Sequence, residues 1–276
     1  MNSDTEDPKQ TDAVIQAELD TILMSGLASF PLSKDRLQAI SARLDDRISK
    51  STAAHAGLLT VREKDGVWSH LKKGIRTKHL WHGPAGNSVL IEFAADASLP
   101  VHRHNWVEEG IVLKGGLQMG DLELGVFDYH LSPQGSRHDR IQSRQGALAY
   151  LRGTAVGHAP SVLREILGGM LPFKSGASQT VLFADIDWKP LAPGVLKKDL
   201  YSDGIIASSF FRFEPGASME GHTHVQNEEC MMLGGEIFLG DILLRAGDYH
   251  MAPAGSYQGE ASTDVGALLF VRGTVT

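Results

Sequence analysis

His102, His104 and Glu108 form a His-x-His-x3-Glu run, and the same run returns 120 residues later as His222, His224 and Glu228. Side chains alternate between the faces of an extended strand, so residues separated by two or four positions share one side. Two imidazoles and a carboxylate then converge into a donor set suited to a divalent metal ion, zinc or iron first, with manganese and nickel also compatible. His138, just after a Pro133-x-Gly135 turn, offers a fourth nitrogen in the first half. Its counterpart in the second half is Gln258, whose neutral amide oxygen is the weaker ligand. Glu109 is a competing carboxylate. Parity favours Glu108 and Glu228, and a bulge would reverse that choice.

The elements that must position these residues show the same repeat. Trp68/Trp188, Gly74/Gly194, Asp128/Asp248, Tyr129/Tyr249, His130/His250 and Gly153/Gly273 all keep the 120-residue register, so two matching modules are joined in one polypeptide. Each consists of short apolar runs such as GNSVLIEF, EEGIVLKGG and VGALLFVRG, broken at close intervals by Gly, Pro, Asp and Ser. That texture predicts an all-β barrel or sandwich. Ahead of the modules, TDAVIQAELDTILMSG and SKDRLQAISARLDDRISK carry apolar residues at helical spacing. In the second segment Leu37, Ile40, Leu44 and Ile48 form one stripe and Ser33 is the N-cap. The stripe must be buried on the first module or on a partner. The expected organisation is a helical extension over 1–56, modules over 57–157 and 179–276, and a linker over 158–178 in which 161–167 makes two helical turns.

The doubled motif, with Gly115 and Gly235 at its end and Pro133-x-Gly135 beyond it, resembles the cupin family. That likeness implies two double-stranded β-helix, or jelly-roll, barrels with a metal in each mouth. The second module has Gly216 and Gly247 where the cupin motifs begin with glycine, and the first has Asp96 and Phe127 there. Residues 31–50 and the LLTVREKDGVWSHLKKGIRTKHL stretch are similar to the linker and first strands of ChrR-type anti-sigma factors, as DWKPLAPGVLKKDL is in the second module. The likeness implies a regulatory or sensor role. In that family a His-x3-Cys-x2-Cys motif holds zinc in the sigma-binding domain, and here no cysteine precedes Cys230.

Other residues carry weaker signals. Cys230 shares the inward parity of Glu228, as a small buried hydrophobe or as a soft ligand and oxidisable thiol replacing the missing histidine. His130 and His250 read as groups supporting the metal site, as substrate contacts, or as solvent-facing strand residues. Trp106 is placed to wall a pocket, Trp68 and Trp188 to pack at the start of each module, and His55, His70, His79, His82 and His158 to lie on the surface. With Lys+Arg 26 against Asp+Glu 33 and a net charge of -7, the chain has no general electrostatic reason to bind nucleic acid or an anionic membrane. The polar N-terminus and the lack of a membrane-length apolar run point to the cytoplasm. The single cysteine rules out an intrachain disulfide.

Two functions fit these readings. One is a ChrR-like regulatory or sensor protein that binds a small molecule in its barrels and meets a protein partner through its N-terminal helices. The alternative is an Fe(II)-dependent dioxygenase, or another metal-dependent enzyme, acting on a small organic substrate. Because cupins pair by strand exchange, the two modules make either a monomeric internal pseudo-dimer or half of a homodimer.

Overall fold

The computed structural model describes residues 33–156 and 177–275, apart from the side chains of Ala54 and His138. The helix expected within residues 11–26, His158 and the helical turns expected at 161–167 lie outside the described residues. The chain divides into two compact units, Met1–Ala54 and His55–Thr276.

In the first unit a helix spans Lys34–Ala54. It begins where the sequence places its cap: the Ser33 hydroxyl oxygen accepts from the Arg36 N–H at 3.3 Å, satisfying one of the otherwise unpaired amides of the first turn. Asp35 in that turn complements the positive end of the helix dipole. The apolar stripe is present and partly exposed among the described residues, with Leu37 at 52%, Ile40 at 41%, Leu44 at 54% and Ile48 at 54% exposure.

The second unit is built of strands, and its two modules repeat one plan. The main sheet of the first module runs in the order Gln179–Val181, Tyr129–Ser132, Glu108–Gly115, Ala147–Thr154, Gly86–Phe93, Ile75–Gly83, Trp68–Lys72. A smaller sheet of Ala97–Leu99, Ile141–Ser143, Leu117–Met119 and Leu122–Leu124 completes the barrel. Its interior is one apolar cluster, with Ile91, Phe93 and Val112 from the large sheet meeting Met119, Leu124 and Ile141 from the small one. The second module's main sheet runs Leu59–Val61, Tyr249–Ala252, Glu228–Leu239, Ala267–Thr274, Ile206–Phe213, Val195–Ser202, Lys189–Ala192.

One of the two edge strands of each main sheet is donated by the other module. Leu59, Thr60 and Val61 lie ahead of the first module's own strands and pair with Met251, His250 and Tyr249 of the second. Gln179, Thr180 and Val181 pair in return with Leu131, His130 and Tyr129 of the first. The exchange takes place within one chain. Between the modules lies another apolar cluster, in which Leu90, Tyr129 and Tyr150 meet Phe210, Tyr249 and Phe270.

Buried in that seam are two carboxylates. Glu109 accepts hydrogen bonds from Tyr129 of its own module at 2.8 Å and from Ser208 and Arg272 of the other. Glu229 accepts from Tyr249 at 2.8 Å, and from Ser88, Tyr150 and Arg152 across the seam. Ser88/Ser208, Glu109/Glu229 and Arg152/Arg272 all keep the 120-residue register. The competing carboxylate therefore faces the module interface, and the parity that separates it from Glu108 holds without a bulge.

The substituted glycines retain glycine geometry. Asp96 and Phe127 take φ of 62° and 69°, close to the 80° and 88° of Gly216 and Gly247. L-residues pay roughly 1 kcal/mol or more for that left-handed conformation. The Phe127 ring makes an edge contact with Phe183 at 5.4 Å between ring centroids.

Candidate metal centre

Each His-x-His run is held by the Pro-x-Gly turn that follows Tyr129–Ser132 in the first module and Tyr249–Ala252 in the second. In the first module His104 N donates to Ser136 O at 3.0 Å and Gly135 N to His104 O at 2.9 Å. In the second, His224 N donates to Ser256 O at 2.9 Å and Gly255 N to His224 O at 2.8 Å. Gly135, at φ 80°, gives the Pro-x-Gly turn the left-handed residue it needs to return the chain to this contact. Two short strand pairs result: His102 lies opposite His138, and His222 opposite Gln258. The backbone thus carries each expected fourth position next to the first. The His138 side chain is outside the described residues.

The donor atoms of His102, His104 and Glu108 lie within 4.8 Å of one another, as do those of His222, His224 and Glu228. His104 Nδ1 is 3.6 Å from Glu108 Oε2, and the corresponding His224 distance is 3.7 Å. In the first module His102 Nδ1 sits 3.0 Å from the Pro100 carbonyl. A carbonyl only accepts, so Nδ1 carries the proton and Nε2 keeps its lone pair for a ligand role. Burial holds His102 below the ordinary imidazole value, and Glu108 partly opposes that shift.

The second cluster combines donors whose burial disfavours their charged forms. Nε2 of His224 is buried with no hydrogen-bond partner, and burial pushes that ring down to about 4, with His222 adding to the shift. Glu228 is pushed up to about 7 by burial. A neutral imidazole and a carboxylate desolvated together are what a divalent ion would relieve, because it replaces the lost hydration of both.

His130 and His250 are inside the barrels, which excludes the solvent-facing reading. His130 Nδ1 is 2.8 Å from Thr180 Oγ1, and His250 Nδ1 is 2.9 Å from Thr60 Oγ1. Both threonines lie on the exchanged strands, so each module orients the inner histidine of the other. Burial pushes both histidines down to about 4. Thr60 and Thr180 were legible only through the 120-residue register, since nothing in their type marks them.

The modules differ beside their clusters. In the first a cavity of about 90 Å³ reaches His102, Glu108, His130 and Ser132, with walls that include Ile91, Val112 and Ala149. Trp106 does not line it. In the second module the corresponding positions are Phe211, Met232 and Leu269, and Cys230 replaces Gly110. These side chains belong to a packed cluster with Val195, Phe213 and Leu244. Burial pushes the Cys230 thiol up, with the Glu228 charge adding to it, so it behaves as a small apolar residue rather than a thiolate ligand.

The other histidines are not uniformly superficial. His55 is half-buried and pairs with Asp241 at 2.6 Å, and half-buried His79 stacks on His82 at 4.9 Å. Trp68 and Trp188 pack against the seam cluster, beneath Arg76 and Arg212 respectively.

Two jelly-roll barrels with exchanged edge strands, each carrying a His-x-His-x3-Glu cluster, define a bicupin. Within that class the chain belongs to the family of ChrR cupin-like domains, whose model matches residues 57–156 and again 177–275. No curated protein sequence matches it. Solved structures with a similar fold include a candidate dioxygenase from Nostoc punctiforme, 17% identical over 78% of this chain and 81% of that one, with a TM-score of 0.61. AerE from Microcystis aeruginosa is 16% identical over 79% and 99% of the two chains, TM-score 0.56. An S161A variant of Bacillus subtilis oxalate decarboxylase is 18% identical over 78% and 76%, TM-score 0.55. Among the described residues no helix is long and apolar enough to cross a membrane.

Proposed function

We propose that this bicupin binds a divalent metal through His102, His104, Glu108 and His138, takes up a small organic molecule beside it, and acts as a ChrR-like regulatory protein. The observation that carries this reading is the asymmetry of the modules: the first cluster opens on a cavity, and its twin adjoins packed side chains. His222, His224, Glu228 and Gln258 form a second metal site, with a structural role. Regulation requires a partner surface, and the exposed stripe Leu37, Ile40, Leu44 and Ile48 supports one on the helix. The strand exchange within a single chain supports a monomer.

A bound ion would supply Lewis acidity, polarising an oxygen of the molecule it meets. The protein supplies the remainder. Pro100 fixes the His102 tautomer, Thr180 aims the His130 ring into the cavity, and the apolar walls hold the body of the ligand. Zinc and iron suit the mixed imidazole and carboxylate donors; manganese suits them as well, and Bacillus subtilis oxalate decarboxylase has Mn(II) centres. A second reading, an Fe(II)-dependent dioxygenase, is favoured by the cavity itself, since a metal against an apolar pocket serves catalysis as readily as sensing.

Elemental analysis of the purified protein, with His102→Ala and His222→Ala variants, tests these readings. Zinc without turnover supports the sensor, and iron with oxygen uptake supports the dioxygenase. Protein that stays metal-free at neutral pH after incubation with each ion overturns both.

A further inference from the structure

Resting on the metal site proposed for the first module, we infer that its cavity takes a small molecule with a hydrocarbon body and a single oxygen-bearing head group, and that it discriminates against dicarboxylates. The polar lining residues are few: His102, Glu108 and His130 of the cluster region, with the hydroxyl residues Ser132 and Thr154. The remaining wall is hydrocarbon almost throughout, from Leu71, Leu117, Met119 and Leu124 among others. Neither lysine nor arginine is among the lining residues. A divalent ion held by Glu108 and neutral imidazoles retains one positive charge, enough for one carboxylate or carbonyl oxygen. A second carboxylate would have to lie against hydrocarbon with no cation to compensate it, which is strongly unfavourable.

The repeat shows what keeps the space open. Gly110 has no side chain, and a Cβ there would come within 3.0 Å of Leu151 Cδ2. In the second module Cys230 fills that place, and the facing residue is the shorter Val271. Val112 and Ala149 are answered by Met232 and Leu269, both larger and both buried in the apolar cluster. The second module therefore specifies the substitutions that close the first.

The test is calorimetric titration of zinc-loaded full-length protein with hexanoate, 2-heptanone, acetate and oxalate, alongside Val112→Met and Ala149→Leu variants. Hexanoate or 2-heptanone is expected to bind at least about 10-fold more tightly than acetate or oxalate, since each buried methylene adds affinity. Either variant should weaken that binding about 10-fold or more with zinc content and circular dichroism unchanged, and Met232→Val should leave it unaltered. Oxalate binding as tightly as hexanoate, no binding of either long probe, or binding indifferent to both filled variants overturns the inference. Zinc content separates the two levels of failure. If His102→Ala retains as much zinc as the parent, the metal reading falls and takes this inference with it; if zinc is present but neither long probe binds, only the ligand class falls.

Discussion

The two modules share their strands, their His-x-His runs and their turn geometry, and they differ in what fills the barrel. The first leaves space beside its cluster by combining Gly110, Val112 and Ala149, whereas the second occupies that space with Cys230, Met232 and Leu269. A duplicated barrel can therefore differ in its chamber while keeping its His-x-His-x3-Glu cluster, because the cluster is set by short strands and strand ends pinned by Pro-x-Gly turns and the chamber depends on interior side-chain volume.

The largest expected effect strikes the seam that keeps the two modules comparable. Glu109→Ala leaves the Arg272 guanidinium buried without its carboxylate and should destabilise by about 3–5 kcal/mol in chemical denaturation. Glu229→Ala should act similarly through Arg152, since both partners there are also largely buried. A large difference between the two variants would show that the seam is not energetically symmetric. Next comes metal content: His102→Ala and His222→Ala should each lower bound metal by about one ion per chain, and only the first should change the binding of a small organic molecule. Equal loss of ligand response in both would break the division of labour.

Acid should expose the buried histidines. His250 is held near 4 by burial, so the unfolded chain, with its ordinary histidine near 6.5, takes up the proton first as pH falls. Stability contributed by the neutral ring is complete above the unfolded value and is lost between about 6.5 and about 4. By pH 5 the loss should reach about 2 kcal/mol, and His250→Asn should flatten the profile, as read from denaturation midpoints at pH 7 and 5. The smallest effect concerns the exchanged glycines. Asp96→Gly should raise stability by about 0.5–1 kcal/mol, and Gly216→Asp, whose added Cβ meets nothing within 4 Å, should lower it by a similar amount in thermal melts.

Much of this arrangement was legible in the sequence because the repeat has a fixed register. Strand parity separated Glu108 from Glu109, the Ser33 cap set the start of the helix, and the doubled motif marked both clusters. What sequence could not supply was side-chain volume in three dimensions. Gly110 and Cys230 reveal a cavity and its filling only once Leu151 and Val271 are known to face them. The partners of Glu109 and Glu229 were hidden for another reason: a seam between modules joins residues far apart in the chain, and seryl, tyrosyl and arginyl side chains give no local sign of such pairing. His130 and His250 were misjudged as solvent-facing on one reading because their covering strands arrive from the other module.

The exchanged edge strands also set a timetable for synthesis. The first module's main sheet lacks its outer strand until residues 179–181 have left the ribosome, and until then Tyr129–Ser132 presents an unpaired edge. Meanwhile Leu59–Val61 must wait for Tyr249–Ala252, with Thr60 and His250 190 residues apart in the chain. Neither main sheet is complete until the strand from the other module has been made, so maturation is a joint event. Nascent chains truncated between the modules should therefore be protease-sensitive at the uncovered Tyr129–Ser132 edge and at the unpaired Leu59–Val61 segment.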